Sequence, residues 1–292
     1  MEEIDERTEN VFSDVFLSKI DNYRVTVNSA ISKELHQYKD SPLFKPYMHA
    51  LKRGKRLRPI LLLLAFESAG GGQGKNPFPA SVAIELMHMQ SLIHDDIIDG
   101  DLFRRGSKSF HAAYNQELAL LGTDFVFSVI LNIVAQYGDH RVAQALARTA
   151  SLMCEGELEE IIVREQKRPE TEAEYLNIIA KKTASLYEAS TTLGAVIAGA
   201  SEGEIKALSD YGRLFGMAFQ IWDDLEDEMQ DTEADTASFV GTDEEREKHL
   251  HEISVRYLRE ARQGIQKLKA SDAKSLLIAL ADFIGKQPVK SI

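Results

Sequence analysis

Proline placement constrains this chain's fold more than any other feature of its sequence. All seven prolines fall at Pro42, Pro46, Pro59, Pro77, Pro79, Pro169 and Pro288, which leaves 80–168 and 170–287 without one. An interior proline removes a helix hydrogen bond and clashes with the preceding turn, so these two stretches can carry long helices. Apolar residues recur there at helical spacing, as in Leu118, Leu121, Phe125 and Ile130, or Leu186, Leu193, Val196 and Ile197, while period-two alternation is hard to find. Ala69-Gly70-Gly71-Gly72-Gln73-Gly74, followed by Pro77 and Pro79, reads as a helix stop and loop. The acidic stretch from Asp231 to Lys248 holds few large apolar residues and is expected to be a mobile loop or a weak solvated helix. The expected fold class is all-α: a bundle of long antiparallel helices around a central cavity, in a single domain over 1–292.

Two aspartate clusters of the same form lie far apart in this pattern, Asp95-Asp96-Ile97-Ile98-Asp99 and Asp223-Asp224-Leu225-Glu226-Asp227. Asp95 with Asp99, and Asp223 with Asp227, are related i,i+4, so on a helix each pair shares a face with Cβ atoms roughly 5–6 Å apart. Like charges at that spacing destabilise a helix, and carboxylates are rarely buried unless paired or metal-bound. The flanks are apolar: Ala83 to His94 before the first cluster, Leu214 to Trp222 before the second. A solvated acidic face would not have such flanks. The expectation is that a cation sits between the carboxylates. All-oxygen ligands, one or two carboxylates per ion, suit Mg²⁺, which commonly bridges to substrate phosphates. Two such walls on facing helices would hold a diphosphate through several ions.

Cations gather near the clusters. His88 lies seven residues before Asp95 and falls almost on its helical face, although a lone histidine on an apolar helix is more often a satisfied core residue. Arg104 and Arg105 follow the first cluster; as adjacent residues they point in different directions and can serve two anions, or simply neutralise the aspartates. Arg53-Gly54-Lys55-Arg56-Leu57-Arg58-Pro59 packs four cations at the entrance to an apolar helix, where the dipole also favours an anion. Lys181 and Lys182 lie within an apolar helical pattern, where lysine is expensive unless it faces the same cavity. No GxSxG, HExxH or GxGxxG opens a nucleophilic, metalloprotease or dinucleotide reading. Net charge of −12 argues against nucleic acid as partner, and the single cysteine, Cys154, excludes an intrachain disulfide. No apolar run is expected to approach the roughly 18–20 residues of a membrane span, and the acidic start Met1-Glu2-Glu3-Ile4-Asp5-Glu6 is unlike a signal peptide, so a cytoplasmic location is expected.

Taken in order, GKRLRP (54–59), His88 ahead of DDIID (95–99), RRG (104–106), KT (182–183) and FQIWDDLED (219–227) resemble the motifs of the trans-isoprenyl diphosphate synthases, or polyprenyl synthetases, from about residue 30 onward. The resemblance implies the isoprenoid synthase fold and a homodimeric prenyltransferase joining an allylic prenyl diphosphate to isopentenyl diphosphate. It implies that Asp95 and Asp99 hold two Mg²⁺ ions and Asp223 a third, with Asp96, Asp224 and Asp227 as direct or outer support. Arg104 and Lys182 would bind the allylic diphosphate, and Lys55, Arg58, His88 and Arg105 the diphosphate of isopentenyl diphosphate. Gln220 and Thr183 would offer dipoles to the developing allylic cation.

Two departures from the family pattern stand out. The lysine expected in a glycine-containing loop after the second cluster is missing, with no lysine between Glu228 and Lys248, which weakens one expected diphosphate contact. Thr123 replaces the glycine usual before Asp124, which is expected to be a local packing change. The missing loop motivates an alternative, a non-catalytic partner subunit of a synthase; retention of both aspartate clusters argues against it. A class I terpene cyclase is the other alternative, and Lys55, Arg58 and Arg105, as a site for a second diphosphate, argue against that. In this family, side chains on the turns before the first cluster limit product length. Ser91 and Gln90 stand where farnesyl-producing members often place an aromatic ring, and Met87 is the next large side chain, so geranylgeranyl diphosphate is the expected product.

Overall fold

The computed structural model describes residues 6–52, 54–72, 74–104, 106–168, 170–228 and 243–285. It is almost wholly helical, and packing divides the chain into two compact units, 1–60 with 76–138 and 61–75 with 139–292.

The first unit holds α1 (Glu6–Leu35), α2 (Phe44–Ala50), the first turn of α3 (Leu57–Ser68), α4 (Phe78–Ile98), a two-stranded hairpin of β1 (Phe103–Arg104) and β2 (Ser107–Lys108), α5 (Phe110–Ala113) and α6 (Gln116–Val134). Helix α4 is its centre and packs against α1, α5 and α6. It begins with Pro79 in its first turn, where the missing N–H costs nothing. It stops at Gly100, whose φ of 71° only glycine adopts readily. The hairpin is a correction to the expectation of unbroken helix through this proline-free stretch: Gly100 and Gly106, both at φ 71°, turn the chain instead.

Helix α6 starts at Asn115, whose side chain accepts from the Leu118 N–H at 2.7 Å. Ala119, Gly122, Thr123, Val126, Val129, Ile130 and Ile133 are buried, whereas Leu120, Leu121, Phe127 and Leu131 are exposed. Apolar on both sides, it is the one described helix long and apolar enough to cross a membrane by length and composition, which corrects the expectation that no run reaches that length. Thr123 is buried and returns its hydroxyl to the Leu120 carbonyl at 2.8 Å, so the replacement of glycine is absorbed within the helix.

The second unit holds the rest of α3 with α7 (His140–Glu165), α8 (Glu172–Ile179), a π turn over Ala180–Ala184, α9 (Ser185–Ala198), α10 (Glu202–Glu228), α11 (Asp243–Gly264) and α12 (Asp272–Gly285). The helical start at Asp243 shows that the last part of the Asp231–Lys248 stretch is structured; 229–242 lie outside the described residues. Helix α10 packs against α9 and α11. Its core side carries Tyr211 and Phe215, both fully buried, and the ring series continues through Phe219 to Trp222 with centroids 5.9, 6.5 and 6.3 Å apart. Deleting a buried ring of this size typically costs about 3–5 kcal/mol, so the turn that carries Asp223 is firmly anchored. Helices approach closely where glycine leaves room. A Cβ on Gly156 would lie 2.5 Å from the Lys182 N, one on Gly194 2.3 Å from the Leu62 carbonyl, and one on Gly216 2.8 Å from the Ala184 Cα.

Thr171 and Glu174 form a reciprocal capping box at the start of α8. Just before it, Glu170 is half-buried, and burial together with Glu160, Glu174 and Asp224 pushes its carboxyl up to about 7. The folded protein therefore holds this proton more tightly than the unfolded chain, whose glutamate titrates near about 4.3. Stability falls as pH rises from about 4.3 to about 7 and the penalty is complete above that range. Glu170→Gln should accordingly raise Tm at pH 8 relative to wild type and leave it nearly unchanged at pH 4. Thermal melts at both pH values check this; an equal shift at the two would show that the charge is not the cause.

Candidate active site

The first aspartate cluster occupies the last turn of α4. Met87, Met89, Ile93 and Asp96 are buried, while His88, Ser91, Leu92 and Asp95 are partly exposed and Asp99 is exposed. Gln90, His94 and Ile97 are partly exposed as well and Ile98 is exposed, but among these residues His88, Ser91, Leu92, Asp95 and Asp99 recur every three to four positions and so share one helical face. The Asp99 N–H donates to the Asp95 carbonyl at 2.9 Å, so helical geometry extends through Asp99 and keeps the two carboxylates on one face. Asp96 points the other way. It is 2% exposed and ion-paired with the Arg104 guanidinium, and its carboxyl is nonetheless held above the usual range because burial outweighs the arginine. Of the two roles open to Arg104 from sequence, this structure shows the neutralising one, tying β1 to α4. Arg105 lies outside the described residues.

The GKRLRP segment splits its cations. Lys55 is exposed. Arg58 approaches His88, with Nη1 3.2 Å from Nε2, so two residues expected to share an anion are together in the first unit. Arg56 turns inward: it is 6% exposed, pairs with Glu85 on α4 at 2.5 Å, donates through Nε to Asn28 Oδ1 at 2.9 Å and reaches the Leu51 carbonyl. Its φ of 56° is left-handed, a conformation that costs a non-glycine residue on the order of 1–3 kcal/mol and persists only when its surroundings fix it. Sequence reasoning took Arg53–Arg58 as one cationic run and missed this division. The signal was Glu85, a single carboxylate inside the apolar run of α4 that needs a buried partner.

The second cluster lies on α10, with Asp223 and Asp224 partly exposed; the Asp227 side chain lies outside the described residues. Both Asp224 oxygens accept from neutral donors, Oδ2 from the Tyr175 hydroxyl at 2.6 Å and Oδ1 from Gln220 Nε2 at 2.7 Å. Gln220 thus donates directly to the second cluster. Tyr175 was missed, because nothing in its apolar context on α8 marks it. Lys182 and Thr183 sit in the π turn, whose wider loop replaces the regular helix expected there and is a form frequent at functional sites. Lys182 pairs with Glu157 at 2.7 Å and with Glu160, and Lys181 with Glu159 at 2.5 Å, so both lysines are met by carboxylates of α7.

Among the described residues no three His, Cys, Asp or Glu side chains converge to hold a metal on their own. Mg²⁺ keeps its waters and takes one or two protein carboxylates together with substrate phosphates. Asp95 with Asp99, and Asp223, offer such oxygen donors on partly exposed faces.

Comparison with known proteins agrees with this geometry. The family model described as Polyprenyl synthetase matches residues 40–270. The short chain isoprenyl diphosphate synthase of Methanothermobacter thermautotrophicus is 34% identical over 280 residues, covering 79% of this chain and 86% of its own. The geranylgeranyl diphosphate synthase of Methanosarcina mazei is 36% identical over 217 residues, covering 72% of this chain and 66% of its own. Among solved structures, the geranylgeranyl pyrophosphate synthetase of Geoglobus acetivorans superposes with a TM-score of 0.80 at 29% identity, covering 92% of this chain and 99% of that one. The motifs, the helical architecture and these relatives agree: the chain belongs to the polyprenyl synthetase family of trans-isoprenyl diphosphate synthases.

Proposed function

We propose that this protein is a prenyltransferase that condenses an allylic prenyl diphosphate with isopentenyl diphosphate, giving a longer trans-prenyl diphosphate and pyrophosphate. The observation that carries the reading is the α4 stripe: Asp95, Asp99 and His88 share one partly exposed face, and Arg58 meets His88 at 3.2 Å. A carboxylate wall and a cationic anchor on one unit are what an enzyme handling two diphosphates requires. Asp95, Asp99 and Asp223 would hold Mg²⁺ ions, whose charge stabilises pyrophosphate as it leaves the allylic carbon. Lys55, Arg58, His88 and Arg105 anchor the diphosphate of isopentenyl diphosphate, which must not ionise. Arg104 and Lys182 serve the allylic diphosphate once it displaces the carboxylates that now hold them. Gln220 and Thr183 turn dipoles toward the cation, and departing pyrophosphate accepts the proton released when the new double bond forms. Asp96, Asp224 and Asp227 would give direct or outer support to the metal ligands. The polyprenyl synthetase match over 40–270 takes in residues of both units.

The exposed Leu120, Leu121, Phe127 and Leu131 of α6 fit a second copy of the chain, and the working form is a cytoplasmic homodimer. Product length is set by α4. Ser91 lies on the same stripe as His88 and Asp95, returns its hydroxyl to the His88 carbonyl at 2.9 Å and leaves room beside the helix, while Met87 is 6% exposed and movable. Geranylgeranyl diphosphate is the product this arrangement favours; relatives of similar identity carry names from geranylgeranyl to octaprenyl, so the reading rests on these side chains.

Incubating the purified protein with Mg²⁺, isopentenyl diphosphate and each allylic diphosphate tests the reading directly, and absence of any chain elongation would refute it. Asp95→Ala or Asp223→Ala should lower kcat by about 10²–10³-fold or more while leaving the circular dichroism spectrum helical. Near-wild-type rates in both would remove the aspartates from the chemistry. Ser91→Phe should shift the product toward farnesyl diphosphate by filling the space beside α4, as read by chromatography of the dephosphorylated products; an unchanged distribution would rule out this position as the limit.

A further inference from the structure

We propose that Arg56 is a positioning residue, which through Glu85 sets the distance between the cations of its own loop and His88 on α4. The inference rests on the reading of Lys55, Arg58 and His88 as the isopentenyl diphosphate site. Arg56 contacts three elements at once: Asn28 on α1, the Leu51 carbonyl at the end of α2, and Glu85 on α4. Gly54 makes this possible, since a Cβ there would lie 2.7 Å from Arg56 Nη1. Glu85 precedes His88 by three residues on the same helix, and Arg56 precedes Arg58 by two, so the buried pair fixes both carriers of the Arg58–His88 contact at 3.2 Å. The left-handed backbone at Arg56 reverses the chain so that Lys55 is exposed while its neighbour is buried. A chain needing only a core ion pair has no need to place it at a strained backbone position between two substrate cations. Here the pair neutralises itself and leaves the segment's positive charge to Arg53, Lys55 and Arg58.

A buried ion pair can be replaced by apolar residues of similar volume with little loss of stability. The double variant Arg56→Met, Glu85→Met therefore separates folding from positioning. Its Tm is expected to stay near that of wild type, with KM for isopentenyl diphosphate raised about tenfold and KM for the allylic diphosphate changed less than about twofold. A folded double variant with both KM values unchanged, or with both raised equally, overturns the proposal. If the double variant does not fold, Arg56→Lys decides: it keeps the charge but cannot reach all three partners, and KM for isopentenyl diphosphate should still rise about threefold or more. No change there overturns the proposal as well. Wild-type protein that elongates no allylic diphosphate would refute the functional reading instead. Positioning is then judged from inorganic pyrophosphate binding by calorimetry, expected to be at least about fivefold weaker in the variant. Equal affinity, or no binding by wild type, overturns it.

Discussion

A charged group removed from water must be met by an opposite charge or by hydrogen bonds, and around the aspartates of this protein that requirement decides where loops and helices go. Burying an isolated carboxylate is far costlier than any single apolar contact is favourable. Three charges near the site are accordingly answered by name: buried Asp96 by Arg104, buried Glu85 by Arg56, and half-buried Lys182 by Glu157 and Glu160. The partners come from other elements of the same unit, so meeting the charge also docks a hairpin on α4, a loop on α4, and a π turn on α7. Asp95 and Asp223 remain partly exposed and Asp99 exposed on the helices that this pairing helps to fix.

The two clusters are supported by different means. Asp96 leans on a cation, whereas Asp224 is held by a phenol and an amide. A cation lowers the local negative potential; neutral donors orient a carboxylate while leaving its charge in place. The second cluster thus keeps its negative charge, and Glu170 nearby, pushed up to about 7 by burial first and then by Glu160, Glu174 and Asp224, feels part of that field.

Much of this was legible in the sequence, and the parts that were not share physical reasons. Proline-free runs with helical spacing gave the all-α class, and spacing alone put Asp95, Asp99 and His88 on one face. The hairpin at 103–108 was hidden because absence of proline permits helix without requiring it, and Gly100 and Gly106 carry the stop. The π turn was hidden because one extra residue in a turn leaves composition unchanged. Arg56 reads in sequence as one more cation of the run because a charge run has no direction until the backbone does. Tyr175 gave no signal, since a tyrosine in an apolar stretch looks like core until its hydroxyl finds Asp224. The lysine-free segment after the second cluster falls largely at 229–242, outside the described residues.

The glycines of the second unit carry a different lesson. Gly156, Gly194 and Gly216 let helices come so near that a single added methyl would strike backbone atoms of the neighbour. None of them touches a reacting group, yet Gly156 abuts the backbone of Lys182 itself. A random screen for dead variants would return these positions beside the aspartates, with nothing in the activity readout to tell the two kinds apart. Tolerance to substitution in this protein therefore maps two things at once: where substrate is handled, and where two backbones have no room for a side chain.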